Sequence, residues 1–354
     1  MTIGYTQRRS RDGRCPEDHR ARLSLACGIG LMLGAGPALA QDGFCSATAT
    51  ALFRACQSEV KGDFFAAQAK CINVSDDEGR RGCSGKARTA RKKANQLCRR
   101  QRQGRLDACR SLGEGRYDPN FDPTLFDDDP RNPTNPNAFF PLRVGNRWEY
   151  RGGAETVIVK VLNETKAIDG VRCIVVRDQV FEDGDLIEDT DDWFATAKDG
   201  DVWYCGEETK GFESFAGDRP RLPELVSIDG SFKAGRDGDK PGIISRAAPV
   251  PGGVYLEEFS LGNAEDMAEV LSATYRFGAD PTLDEGVPRP LAERLCPGDC
   301  VVTKNLSLLE PGIIERKYYA RGIGVFLEVE PHSGEVVRLT GCNFDDRCTG
   351  LPAP

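Results

Sequence analysis

The sequence predicts an α+β protein: an N-terminal disulfide-linked antiparallel helical hairpin, then a mostly antiparallel β-sheet domain shaped as a curved sheet or partial barrel. Three observations lead there. Cys45, Cys56, Cys71, Cys83, Cys98 and Cys109 are separated by 10, 14, 11, 14 and 10 residues, a spacing that reads the same in both directions. From Phe139 onward, apolar residues recur at every second position, the period of a strand. Asp169-Gly170, Asp183-Gly184, Asp199-Gly200, Gly252-Gly253 and Ser333-Gly334 punctuate that region as tight turns.

Residues 1–40 read as a signal peptide with a long n-region. Its apolar core, within ARLSLACGIGLMLGAGPALA (21–40), ends on the small-residue cleavage pattern Ala38-x-Ala40. The core is too short and glycine-rich for a membrane anchor, so the mature chain is expected to begin at Gln41 without a transmembrane segment. Twelve cysteines remain after cleavage, an even number suited to an oxidising compartment. The expectation is an exported protein, periplasmic or secreted.

Residues 41–115 are predicted to form the cysteine-rich hairpin. At roughly 100° per residue, Cys45, Cys56 and Cys71 fall within about 80° of one another, and the second arm repeats the spacing in reverse. Nested pairing then joins Cys45 to Cys109, Cys56 to Cys98 and Cys71 to Cys83, one of the 15 connectivities that six cysteines allow. Ser75-x-x-Glu78 reads as a capping box opening the second helix. A metal cluster is the rival reading, but there is no Cys-x-x-Cys and the mature chain holds only His332.

Charge is uneven along the mature chain. Residues 41–115 carry 15 basic and 8 acidic side chains, whereas 116–354 carry 26 and 44. Much of the positive charge lies in the second arm, from Arg80 through Arg88, Lys92 and Arg99 to Arg110. Such a stretch reads as a solvated helix face, as a docking surface for the acidic C-terminal domain, or as a contact with an anionic envelope surface. Nucleic acid is not expected as a partner, because the chain reads as exported and no aromatic residues interleave the cations.

Residues 116–138 read as an acidic, Pro/Asn-rich extended linker. Asp122, Asp127, Asp128 and Asp129 have the oxygen chemistry for calcium but not the spacing of an EF-hand, so solvation is the default. Residues 139–354 form the predicted β-rich domain of ten or eleven strands. Candidates include 242–246, 253–260, 266–275, 299–306, 313–320, 323–330 and 335–340. Residues 206–240 read as a long surface excursion, and 264–272 as either a strand or a short helix. Among the remaining cysteines, Cys173 and Cys205 are placed to pair across the sheet. Cys296 with Cys300, and Cys342 with Cys348, would close local loops or clip the tail to the sheet.

Chemistry is sparse. A single mature histidine, His332 in a Pro-His-Ser-Gly turn, removes most histidine-dependent hydrolysis and metal catalysis. No nucleotide-binding glycine loop or nucleophile elbow is present, and no cofactor is expected. Glu257-Glu258 and Glu265-Asp266 would suit a carboxylate-based glycan hydrolase only at the right separation. Asp178, Glu188, Asp189, Asp191 and Asp192 read as a solvated sheet face. Trp148, Tyr150, Trp193 and Trp203 are candidate ligand-lining residues, with the core of a β-domain as the ordinary alternative.

FFPLRVGNRWEY (139–150) resembles the FPL-x-x-G-x-x-W-x-Y opening strand of a group of uncharacterised exported bacterial proteins and lipoproteins. Residues 169–208, KPGII (240–244), AEDMAEV (264–270) and LEPGIIERKYYARGIGVFLEV (309–329) are similar to one subfamily of it. CRSLGEGRYDPNFDP (109–123) resembles the end of a cysteine-helical extension that some members carry. The resemblance implies an exported β-domain with a helical hairpin and no assigned activity or catalytic residues. Some relatives of the opening motif are similar to half-barrels that carry acyl chains.

The reading that follows is a non-enzymatic binding or interaction module of the cell envelope. Its expected partner is an envelope protein, an anionic surface or a hydrophobic ligand. The alternatives are a lipid carrier within a curved sheet and, third, the carboxylate hydrolase.

Overall fold

The computed structural model describes residues 43–353, so the expected signal peptide lies outside the described residues. Contacts divide the described chain into one compact unit ending at Arg116 and another beginning at Tyr117.

The first unit is a pair of helices, α1 (Phe44–Ile72) and α2 (Asp77–Leu112). Asp76, not Ser75, is the N-cap of α2: its carboxylate accepts the Gly79 amide at 2.6 Å, satisfying an otherwise orphaned donor. The cap therefore lies one residue later than the capping-box reading placed it, and Gly79 at the third helical position has no side chain to complete a box. Arg80 Nη1 closes the turn by donating to the carbonyls of Val74 and Ser75 at 2.7 and 3.0 Å. The buried seam consists of small side chains, Ala49, Val60, Ala87 and Ala108, together with cysteine sulfur. So thin a seam supplies little hydrophobic energy, and covalent crosslinks substitute for a core. They run Cys45–Cys109, Cys56–Cys98 and Cys71–Cys83, with Cα–Cα separations of 5.7, 5.8 and 5.4 Å.

The second unit is a large antiparallel sheet forming a nearly closed, barrel-like curve. Fifteen strands are present among the described residues, several of them two to four residues long. That is more than the ten or eleven that alternation alone resolves. β1 (Arg147–Gly152), β2 (Glu155–Ile168), β3 (Val171–Glu182), β4 (Asp185–Thr196) and β5 (Val202–Glu213) form a continuous meander. The excursion at 206–240 is partly strand: it extends β5 and adds β6 (Glu224–Ser227) and β7 (Phe232–Lys233). β8 (Lys240–Ser245), β9 (Val254–Leu256) and β10 (Glu258–Phe259) follow, and β11 (Asp266–Tyr275) shows that 264–272 is strand rather than helix. β12 (Cys300–Ser307), β13 (Glu315–Ala320), β14 (Gly324–Glu330) and β15 (Glu335–Cys342) complete the path, with β15 paired to β1.

The sheet order begins with β10 and ends with β9. These two edge strands are consecutive in the chain and joined through Glu257, so one short segment brings both edges together. Closure requires a glycine at 242 on β8, where a Cβ would sit 1.9 Å from the Glu257 carbonyl oxygen.

The inner face is filled near one end by apolar and aromatic side chains, including Trp148, Tyr150, Val159, Ile174, Phe194 and Tyr204. A second apolar cluster, on the opposite face of β3, β4 and β5, contains Trp193, Cys173, Cys205 and Ala195 together with Phe126. A bulge opposite Trp193–Phe194 leaves Cys205 out of register. Cys205 thereby reaches Cys173 over the small Ala195 of β4, which separates their two strands. From Tyr117 on, the segment 116–138 read as a linker lies against the sheet: Phe121 and Phe126 meet edge to face beside Trp203, and Asn137 donates to the Gly200 carbonyl. Alternation does not reveal two short helices, α3 (Pro281–Asp284) and α4 (Arg289–Leu295). α3 accepts from the Tyr275 hydroxyl of β11 at Asp284, 2.8 Å, and from the Tyr318 hydroxyl of β13 at the Leu283 carbonyl, 2.6 Å, while α4 buries Leu291, Ala292 and Leu295. The remaining disulfides, Cys296–Cys300 and Cys342–Cys348, close short loops.

Candidate functional site

Polar side chains converge on the inner face of the β-unit where its two edges meet. Strand register dictates the grouping. Lys317 lies opposite Glu328 on β14 and Thr303 on β12, Glu315 lies opposite Asn305, and Asp266 lies opposite Ser307. Asp192 on β4 lies opposite Glu207 on β5. Period two then places Glu315 and Lys317 on one face of β13, as it does Asn305 and Ser307 on β12. Glu257 and Glu258 enter from the segment joining the sheet edges.

These groups are buried. Glu257, Glu258, Glu328 and Lys317 are 5, 7, 5 and 5 % exposed. Asn305 Nδ2 donates to both Glu257 oxygens at 2.9 and 2.8 Å, and Lys317 Nζ stands 3.3 Å from Glu328 Oε1. Tyr204 hydrogen-bonds both Asp192 and Glu207. Burial raises the carboxyl groups: Asp192 to about 6, Glu188 and Glu257 to about 7, and Glu315 to about 8. Glu258 is driven well up by burial and then by the neighbouring charges of Asp266, Glu207 and Glu257. Burial alone would discharge Lys317, but the carboxylates of Glu328, Glu315 and Glu257 outweigh it and hold the ammonium well above its ordinary range.

The arrangement gathers carboxyl groups of raised pKa around one buried ammonium. The cavity bordered by Glu257, Asp266, Asn305, Ser307, Glu315 and Lys317 has room for little more than a water molecule. A second cavity, beside Phe139, Tyr255 and Tyr319, is equally small. Among the described residues, no three histidine, cysteine, aspartate or glutamate side chains converge as metal ligands.

The sequence candidates are distributed as follows. Glu257, Glu258 and Asp266 meet at this cavity, while Glu265 instead accepts the Gly262 amide. Asp178 and Asp192 are each 2 % exposed, so they do not line a solvated face; Asp189 and Asp191 lie on the other face of β4 beside Arg177. Trp148 and Tyr150 belong to the inner cluster, where their polar tips donate to the carbonyls of Ile323 and Val325. Trp193 belongs to the second cluster beneath Lys166, and Trp203 packs on Phe121 and Phe126. The four aromatic candidates are therefore not gathered around one space. Asp122, Asp127 and Asp129 are occupied by local donors from Thr124, Thr134 and Arg131. Lys317, Asn305, Glu315 and Glu328 were absent from the sequence candidates. Their signal is Glu315-x-Lys317-x-Tyr319, ionisable residues at alternate positions of an otherwise buried strand.

On the first unit the charged feature is external. Arg81, Arg88, Lys92 and Arg99 are exposed, and between Gly79 and Leu106 the helix carries no acidic residue. Arg91 and Arg102 lie instead over the Phe64 and Phe53 rings of α1, at 4.7 and 5.7 Å.

No family model and no curated protein matches the sequence. A solved structure described as a "putative lipoprotein" from Parabacteroides distasonis is similar over 59 % of this chain and 100 % of its own, at 10 % identity and a TM-score of 0.31. That likeness is too distant to carry an argument about fold or function. No helix among the described residues is long and apolar enough to cross a membrane.

Proposed function

We propose that the chain is an exported, non-enzymatic binding module of the cell envelope that makes its contact through the outer face of α2. The observation that carries this reading is the row of exposed cations, without a carboxylate among them, on a helix clamped by three disulfides. Six disulfides in all favour an oxidising compartment. A rigid rod presents its charges at fixed spacing and loses little conformational entropy on contact.

The β-unit supports the reading from the other side. A carrier needs an apolar space of roughly 300–1,000 Å³, whereas the two cavities beside Lys317 and beside Tyr319 hold about one water each. A glycan hydrolase needs its acids exposed to a sugar ring, whereas Glu257 and Glu258 are sealed within the sheet.

The test is sedimentation of the oxidised mature protein with washed envelopes from cells that express it. The wild-type chain is expected in the pellet at low salt, and a variant with Arg81, Arg88, Lys92 and Arg99 changed to Gln in the supernatant. Equal pelleting of the two would contradict the reading.

A further inference from the structure

We infer that the partner of this helix face is an extended acidic polysaccharide, an inference that rests on the binding-module reading. At 100° per residue, Arg81, Arg88, Lys92 and Arg99 fall within about 40° of one another and span about 27 Å along the axis. Lys93 and Arg100 flank the row. Arg81, Arg88, Lys92 and Arg99 enter no ion pair among the described residues, whereas Arg80 and Arg110 are held by Asp77 and Asp107. The row therefore presents uncompensated charge in a line, which complements a linear chain bearing repeated anions.

Other polyanions fit less well. α2 contains no Phe, Tyr or Trp, so a nucleic acid would find no stacking platform. A bilayer contact gains from apolar side chains entering beside the cations. Here the exposed large apolar residues of the hairpin are Phe44, Phe65 and Ile72 on α1, at 56, 57 and 76 % exposure, and Leu112 in the last turn of α2, at 38 %. Helical spacing turns Phe65 and Ile72 about 150° from the mean direction of their helix's cysteines, away from α2, and sets Leu112 about 140° around α2 from the basic row. A globular partner needs about 800 Å² of complementary surface, more than one convex helix face offers. A polysaccharide needs only the line of charges.

The experiment measures binding of the full oxidised mature protein to polygalacturonate across a salt series. Neutral dextran, a single-stranded oligonucleotide, polyphosphate and vesicles of equal anionic and zwitterionic phospholipid run in parallel. Polygalacturonate is expected to bind with a log–log salt slope of about −0.7 per contacted cation, or about −3 for the row. R81Q/R88Q/K92Q/R99Q is expected to weaken binding at least tenfold and flatten the slope. Helix content and the absence of free thiols verify that this variant is folded. R54Q/K61Q, on α1, is expected to bind as wild type. Equal binding by wild type and the quadruple variant would overturn the inference. So would binding to vesicles, oligonucleotide or polyphosphate with polygalacturonate ignored. If envelopes still retain the protein through the row while polygalacturonate does not bind, the polysaccharide falls and the binding-module reading stands. If neither retains it, both fall.

Discussion

Lys317 Nζ lies 3.3 Å from Glu328 Oε1, with the two side chains only 6 and 7 % exposed. The ammonium also faces Glu315 and Glu257, so one buried cation serves several carboxylates. Removing one member of a buried pair typically costs about 3–5 kcal/mol, because the other is left without compensation. Lys317→Met should therefore destabilise the β-unit by about that much at pH 8. The loss should shrink at pH 5, where the carboxyl groups take up protons. Urea unfolding at both pH values checks this, and an equal loss at both would contradict the electrostatic origin.

The pH dependence of the wild type follows from the same groups. Unfolded carboxyl groups titrate near about 4, whereas burial holds Asp192 at about 6, Glu188 and Glu257 at about 7 and Glu315 at about 8. The folded state thus binds more protons between those limits, and stability falls as pH rises through them. The contribution is fully present below the unfolded values and lost above pH 8. Lys317 titrates well above this window and adds no slope within it. The urea midpoint of the β-unit transition is expected to decrease steadily from pH 5 to 8, and Glu315→Gln should flatten its upper part. A midpoint rising over that range would contradict the assignment.

Cys56 and Cys98 form the middle rung of the hairpin. Cys56→Ser should leave Cys98 as the sole labelled thiol and destabilise the hairpin by about 2–4 kcal/mol. Peptide mapping after alkylation locates the label; finding it on Cys71 or Cys109 would mean that the rungs can re-pair. β-sheet circular dichroism should persist, because the sheet has its own core.

Gly242 has Glu257 backbone where a side chain would start, with a Cβ 1.9 Å from the carbonyl oxygen and 2.2 Å from its carbon. Gly242→Ala should displace the segment that joins the sheet edges, at about 1–3 kcal/mol. Gly238→Ser is a poor control because its φ is +92°; Gly341→Ala, with open space around it, should change little. Thermal melts of Gly242→Ala and Gly341→Ala compare the two sites, and equal loss would contradict the close-approach argument.

The hairpin and the β-class were legible because both signals are local: the reversed cysteine spacing, and period two through Val157, Val159 and Val161. Closure was not, since it depends on which distant strands pair. β14 is buried on both faces along nearly its whole length, which erases the alternation that marks a half-exposed strand. The carboxylate interior was hidden for a related reason. Glu188 and Asp192 point inward while Asp189 and Asp191 point outward, so both faces of β4 carry acids and the pattern cannot say which is buried. Glu257 and Glu258 stood out as paired acids, but the cation beside Glu257, Lys317, is about 60 residues away in the chain and joins it only through strand register.

Native mass spectrometry of the oxidised mature protein, purified gently from its own cells, tests the central claim most directly: a β-unit that holds no small molecule, in a protein that makes its contact through α2. The account predicts the polypeptide mass less two hydrogens for each disulfide, with no small molecule retained after transfer from low-salt buffer. A discrete bound lipid or metabolite, released only on denaturation, would contradict it and return the sheet interior to the role of a carrier.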